Sequence, residues 1–313
     1  MEAITLIKGH GSENDFFIID NLEQRFDDRA KSDLSRILCD RKNILGGADG
    51  VLFMEKGRQS PHLMRIFNAD GTEALMCGNG MRLAGRWSAG QLDATEVTVE
   101  NVTHLPYRIR VQEDFFRDVF GISIRFPPPG LEQDFIKGAP VVLQQQAIGG
   151  FDEKRAYTAI TMPNPHIIAF MQHIDDQELE AAGKAANDNK QLFPQGVNVS
   201  WTSVIDDHTI FVSTYERGVG LTNACGTAMV AATVAGVLRG DLPPGETITV
   251  RNKGGFIKVT VYEDWSTLMT GNATYNAHYS VAVDGQDQIL ILSHVTGNEQ
   301  EKYELLKAAA ARQ

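Results

Sequence analysis

Ala224-Cys225-Gly226-Thr227-Ala228-Met229-Val230-Ala231-Ala232-Thr233-Val234-Ala235-Gly236-Val237-Leu238 decides how the rest of the chain is read. From Ala228 onward it has helix-forming composition and is apolar on nearly every side. A helix with no polar stripe is buried all round. Its neighbours are short strand-like runs, residues 209–215 before it and 247–251 and 256–262 after it. One fully buried helix among many short strands predicts an α+β fold. In it a strongly curved, mostly antiparallel sheet wraps a central helix.

The stretch has a counterpart. Cys77-Gly78-Asn79-Gly80 opens a second small-residue helix, and the residues upstream repeat at matching distances. Asn68 lies nine residues before Cys77 and Glu216 nine before Cys225. Asn14-Asp15-Phe16 begins 63 residues before Cys77, and Asn164-Pro165-His166 begins 61 before Cys225. Two pseudo-symmetric domains are therefore expected, divided near Pro127-Pro128-Pro129-Gly130. Residues 1–130, rejoined by the C-terminal segment 276–313, carry Cys77; residues 131–275 carry Cys225. Other strands are expected at 4–7, 16–19, 51–54, 97–100, 107–111, 121–125, 156–162, 167–171, 198–201 and 289–292. Helices are expected at 28–39, 175–186 and 299–311. Gly46-Gly47-Ala48-Asp49-Gly50 reads as a turn.

At 313 residues the chain is long enough for two cores. Its net charge of -11 argues against nucleic acid or an acidic membrane surface as partner. No apolar run approaches the roughly 20 residues that span a bilayer. The first residues alternate like a strand and lack the apolar core of a signal peptide, so a cytoplasmic location is expected. Three cysteines, Cys39, Cys77 and Cys225, are too few for a disulfide scaffold. With no Cys-x-x-Cys or His-x-x-x-His, no metal site is expected either.

A lone helical cysteine is most often a small buried apolar residue, and Cys39 is read that way. The Gly-flanked duplication favours a different reading for the other two. Inverting an amino-acid α-carbon needs a base on one face and an acid on the other, and thiolate and thiol suit both roles. A helix N-terminus lowers a cysteine's pKa, and its free N–H groups bind a carboxylate. Gly78, Gly80 and Gly226 let a ligand approach the backbone. The expected partner is a small amino acid.

Five blocks in order carry a resemblance: Gly9-His10-Gly11-Ser12-Glu13-Asn14-Asp15-Phe16, Asn68-Ala69-Asp70-Gly71-Thr72, Cys77-Gly78-Asn79-Gly80, Asn164-Pro165-His166, and Glu216-Arg217-Gly218-Val219-Gly220 with Ala224-Cys225-Gly226-Thr227. Together they resemble the signatures of the diaminopimelate epimerase family, with weaker likeness through Met269-Thr270-Gly271. The resemblance implies the two-lobed fold, catalysis without a cofactor, and a homodimer. It implies Cys77 and Cys225 as the acid/base pair, His166 tuning Cys77, and Glu216 tuning Cys225 and touching substrate. Asn68, Asn164, Asn198 and Arg217 match the positions that recognise the substrate's far, non-reacting end. Gly78-Asn79 and Gly226-Thr227 match the donors to the reacting carboxylate, and Asn14 a further substrate contact.

Taken singly, His166 could be a satisfied turn histidine, Glu216 a surface carboxylate, and each asparagine a turn residue. The chain also departs from the family at Leu221 (usually Glu), Pro163 (usually Gly), Ala228 (usually Gly) and Asn272 (usually Pro). Gly50 occupies a position where some members place a side-chain contact. The expected activity is interconversion of LL- and meso-2,6-diaminopimelate, in lysine and peptidoglycan precursor synthesis. Rivals are a racemase of another amino acid such as histidine, a non-catalytic amino-acid sensor, and a dithiol redox protein. Oxidation bridging Cys77 to Cys225 is a further expectation of two thiols that share one carbon.

Overall fold

The structure, a computed structural model, describes residues 3–311. The chain divides into two compact units, Met1–Ile124 with Thr270–Leu306, and Arg125–Met269 with Lys307–Gln313.

In the first unit β1 (Ile4–Gly11), β2 (Asn14–Asp20), α1 (Asp28–Cys39), β3 (Gly50–Lys56), β4 (His62–Asn68), β5 (Glu73–Ala74), α2 (Gly78–Leu92), β6 (Glu96–Glu100) and β7 (Pro106–Phe116) follow in order. The chain passes to the second unit within β8 (Val119–Phe126). There come β9 (Gln146–Ile148), β10 (Asp152–Met162), β11 (Asn164–Phe170), α3 (Asp176–Asp188), β12 (Asn198–Asp206), β13 (Thr209–Glu216), β14 (Gly220–Thr222), α4 (Gly226–Arg239), β15 (Thr247–Asn252) and β16 (Gly255–Val261). It returns through β17 (Thr267–Asn272) to β18 (Thr274–Val283), β19 (Ile289–Thr296) and α5 (Glu299–Ala311).

Both units follow one pairing plan. β1 and β2 are antiparallel, β2 and β3 parallel, and β3 and β4 antiparallel. β4 then takes β5 antiparallel and β6 parallel, and β6 pairs antiparallel with β7. The run β10, β11, β12, β13, β14, β15, β16 repeats those six relations in the same sequence. α1 and α3 fill the parallel crossover before β3 and β12, and α2 and α4 the crossover before β6 and β15.

α2 packs against β1, β2, β3, β4, β6 and β7, and α4 against β10, β11, β12, β13, β15 and β16. Each is thus the central helix of its unit, as the apolar composition of α4 predicts. α4 buries every residue from Gly226 to Gly236; side chains such as Met229, Val230 and Val234 each stabilise by roughly 1.5–3 kcal/mol. Gly240 ends it in the left-handed conformation (φ 82°), its N–H closing back on Gly236 and Val237. The α+β class, with two repeated sheet-and-helix units, is the one expected. β4, β5, β9, β14, β17 and β18 are elements the sequence reading did not identify.

Candidate active site

The pairing plan puts the sequence-predicted residues at equivalent places in the two units. Asn14 and Asn164 begin β2 and β11. Two residues on, Phe16 pairs with Gly50 at the start of β3, and His166 with Asn198 at the start of β12. Asn68 and Glu216 end β4 and β13. Cys77 and Cys225 are the N-cap residues of α2 and α4.

In the first unit Cys77 is half-buried, with extended backbone (φ −143°, ψ 119°). Its Sγ accepts from the Gly80 N–H at 3.4 Å and donates to Asn14 Oδ1 at 3.4 Å. Asn79 Nδ2 donates to the same oxygen at 3.2 Å. Gly78 and Asn79 follow directly as the first residues of the helix, both buried. The structure therefore brings Asn14, Cys77, Gly78 and Asn79 together. Asn68 is held in its own turn, its Nδ2 donating to Thr72 Oγ1 at 3.0 Å. One turn into α2, Arg82 is fully buried and donates to Asn272 O at 2.8 Å and Ser12 Oγ at 3.0 Å. Burial pulls its guanidinium down to about 10, while the charge it shares with Cys77 opposes that.

In the second unit Cys225 is buried, its Sγ 3.5 Å from Thr227 Oγ1. The sequence led us to expect a thiol made more acidic by the helix N-terminus. The structure shows the reverse: its pKa lies well above the usual value of 9.0. Burial is the largest cause and the charge of Glu216 the next; the Thr227 hydroxyl and Ala228 N–H pull the other way without prevailing. Glu216 Oε1 accepts from Thr222 Oγ1 at 2.6 Å.

His166 is fully buried, and Asn164 Oδ1 lies 2.9 Å from its Nε2. This contact puts the ring proton on Nε2 and leaves Nδ1 as a lone pair with no partner among the described residues. Burial first, and the Arg217 charge second, push the imidazole down to about 3, so it is neutral. Its register partner Asn198 uses Oδ1 to accept from the Arg217 N–H at 2.8 Å, while the buried Nδ2 has no partner among the described residues. Arg217 is steadied by Gln195 O at 2.9 Å. A buried acceptor and a buried donor on register partners, both open, are costly unless something occupies them.

The structure places the four family departures. Leu221 packs on the second unit's core, Ala228 is buried within α4, and exposed Pro163 fills the tight β10–β11 turn. Asn272 receives the Ser12 N–H at 2.8 Å and donates to His10 O and Thr274 Oγ1. Sequence reasoning passed over Asp49 and Arg41, which lie in a turn and just past α1. Arg41 pairs with Asp15 at 2.7 Å and Asp49 at 2.8 Å. The one available signal was Asp15 inside the repeated motif. Among the described residues no group of three or more His, Cys, Asp and Glu side chains is arranged to hold a metal ion.

Comparison with known proteins agrees. Residues 6–103 and 158–276 match the family model for diaminopimelate epimerase, which spans both half-sites. A diaminopimelate epimerase of Clostridium acetobutylicum is 38% identical over 280 residues, covering 87% of this chain and 84% of its own length. One from Listeria monocytogenes serotype 4a is 34% identical, covering 98% and 96%. Among solved structures, a hydroxyproline epimerase from Agrobacterium vitis superposes with a TM-score of 0.61 at 15% identity, over 96% of this chain and 98% of that one. A phenazine biosynthesis protein of the PhzF family from Bacillus anthracis superposes at 0.63 with 12% identity, over 90% and 100%; at such identities these two speak for the fold alone. With the family's signature residues disposed in two equivalent half-sites, and its sequence matched from one half to the other, the chain belongs to the diaminopimelate epimerase family.

Proposed function

We propose that the protein interconverts LL- and meso-2,6-diaminopimelate without a cofactor, one thiol removing the α-proton and the other supplying one to the opposite face. The observation that carries this reading is the placement of Cys77 and Cys225 as N-caps of topologically equivalent central helices. Helix N-termini present backbone N–H groups outward, so Gly78-Asn79 and Gly226-Thr227 are assigned to the reacting carboxylate. There they meet the enolate-like charge that develops on deprotonation. Cys225, held protonated by burial and Glu216, is the resting acid. His166, neutral and with Nδ1 open, is assigned to proton exchange with Cys77.

The open Nδ2 of Asn198, with Asn68, Asn164 and Arg217, is assigned to the substrate's far amino-acid end, and Asn14 to a further contact. Such a polar set fits a second zwitterionic end, and Leu221 packs partly buried against the second unit's core. By kinship the reaction belongs to lysine and peptidoglycan precursor synthesis, in a cytoplasmic homodimer whose mass sedimentation would measure.

Deuterium wash-in from heavy water against a panel of amino acids tests the reading. Exchange at the α-carbon is expected with LL- and meso-diaminopimelate, and not with histidine or proline. Cys77→Ala and Cys225→Ala should each abolish it. Exchange with histidine alone would assign a different substrate; binding of diaminopimelate without any exchange would make the protein a sensor.

A further inference from the structure

Asn14 reaches Cys77 with its carbonyl, and what fixes that orientation lies one residue pair away. Asn14 Nδ2 donates to Asp49 Oδ2 at 2.7 Å, and the Asp15 N–H donates to the same oxygen at 3.2 Å. The other oxygen, Asp49 Oδ1, accepts from Arg41 Nη2 at 2.8 Å. Arg41 in turn holds Asp15 through both its terminal nitrogens, at 2.8 and 2.7 Å. The Asp49 N–H closes back on Asp15 O at 2.9 Å. A carboxylate only accepts, so the Asn14 amide cannot flip without setting its carbonyl against Asp49. The flip that would present an N–H to the sulfur is barred.

Among the described residues the second unit has no equivalent carboxylate at this place. Asp49 precedes Gly50, the register partner of Phe16, as Val197 precedes Asn198, the partner of His166. Val197 is wholly buried in the apolar core. There the amide of Asn164 is turned by His166 instead. The two half-sites share a backbone plan and orient their first asparagine by different means.

We infer that Asp49, clamped by Arg41, is a positioning residue for Cys77 that acts through Asn14, locking the amide with its carbonyl toward the thiol. The sulfur then gives one hydrogen bond to Asn14 and takes one from Gly80, a pattern that only the S–H form satisfies. The charged group facing it from its own helix is Arg82, and the clamp sets a neutral acceptor against that cation. This inference rests on the reading of Cys77 as an acid/base thiol.

The test uses Asp49→Ala, a truncation at a side chain 45% exposed that leaves no cavity. With the carboxylate gone, only Asn79 Nδ2 still opposes a turn of the Asn14 NH2 toward the sulfur, and alkylation of Cys77 by iodoacetamide, followed by peptide mapping without substrate, should quicken roughly fivefold. The kcat/KM for diaminopimelate should fall about tenfold or more, and Asp49→Asn, which keeps one acceptor for Asn14, should recover part of both. In an Asn14→Ala background Asp49→Ala should add nothing to either. Unchanged Cys77 alkylation, or an equal effect in that background, would overturn the inference. Wild-type protein that fails to exchange the α-proton of diaminopimelate would sink the functional reading instead, and the substrate-free alkylation would still judge the clamp.

Discussion

At the scale of single residues, burial outweighs the local influences on Cys39, Cys225 and His166. Cys39 is buried and pushed up to about 12, and Cys225 is raised by burial and Glu216. Cys77 alone among the three is half-buried. Native protein treated with iodoacetamide should therefore label Cys77 first, with Cys39 and Cys225 protected until the chain unfolds; peptide mapping reads the order. His166 makes a second prediction. Its folded value of about 3 lies below the ordinary 6.5, so between those limits the unfolded chain binds a proton that the folded chain refuses. The stability it contributes is complete above about 6.5 and drains away as pH falls toward 3. Urea melts of wild type and His166→Gln across that window should show a shallower acid loss in the variant.

At the scale of elements, two glycines of α2 should respond oppositely to alanine. A Cβ on Gly85 would come 2.6 Å from Ile109 Cγ2 in the core, whereas one on Gly90 would meet nothing within 4 Å. Gly85→Ala should cost about 1–3 kcal/mol, and Gly90→Ala should gain roughly 0.5–1 kcal/mol, both read by thermal unfolding. The helices were legible because their patterns are local. α1 declares itself through Leu34 and Leu38 and an N-cap aspartate, Asp27, that accepts the Ala30 N–H. β4 hid because it is buried on both faces yet carries His62 and Arg65. His62 is tolerated there by Ser88 Oγ at 2.7 Å and the Trp87 ring, partners 26 and 25 residues away that no local pattern announces. β18 hid for a similar reason, its Tyr, Asn and His residues breaking the alternation. The thiols and their repeated flanks were legible in sequence because motif spacing survives duplication. The clamp at Asp49 was not, since turn carboxylates are common and only tertiary pairing marks this one.

At the scale of the whole chain, the C-terminal tail acquires a structural reason. Glu299 takes both terminal nitrogens of Arg86 at 2.6 and 2.7 Å and accepts the Tyr275 N–H. Gln300 meets His10 Nε2 at 2.9 Å, and Tyr303 sets its ring edge-on to His10 with centroids 4.4 Å apart. Deleting residues 298–313 exposes apolar neighbours of Tyr303 and Leu306 and strands the Arg86 charge. The loss should be at least about 4 kcal/mol, seen as a lowered melting temperature and a weakened first unit in hydrogen exchange. The shared pairing plan has a consequence for descent. Phe16 and His166, Gly50 and Asn198, Asn68 and Glu216 occupy matching sockets in frames whose strands pair in the same plan. A mutation in one copy of a socket leaves its twin untouched, so a lineage can explore new ligands in one half while the other keeps the old bargain.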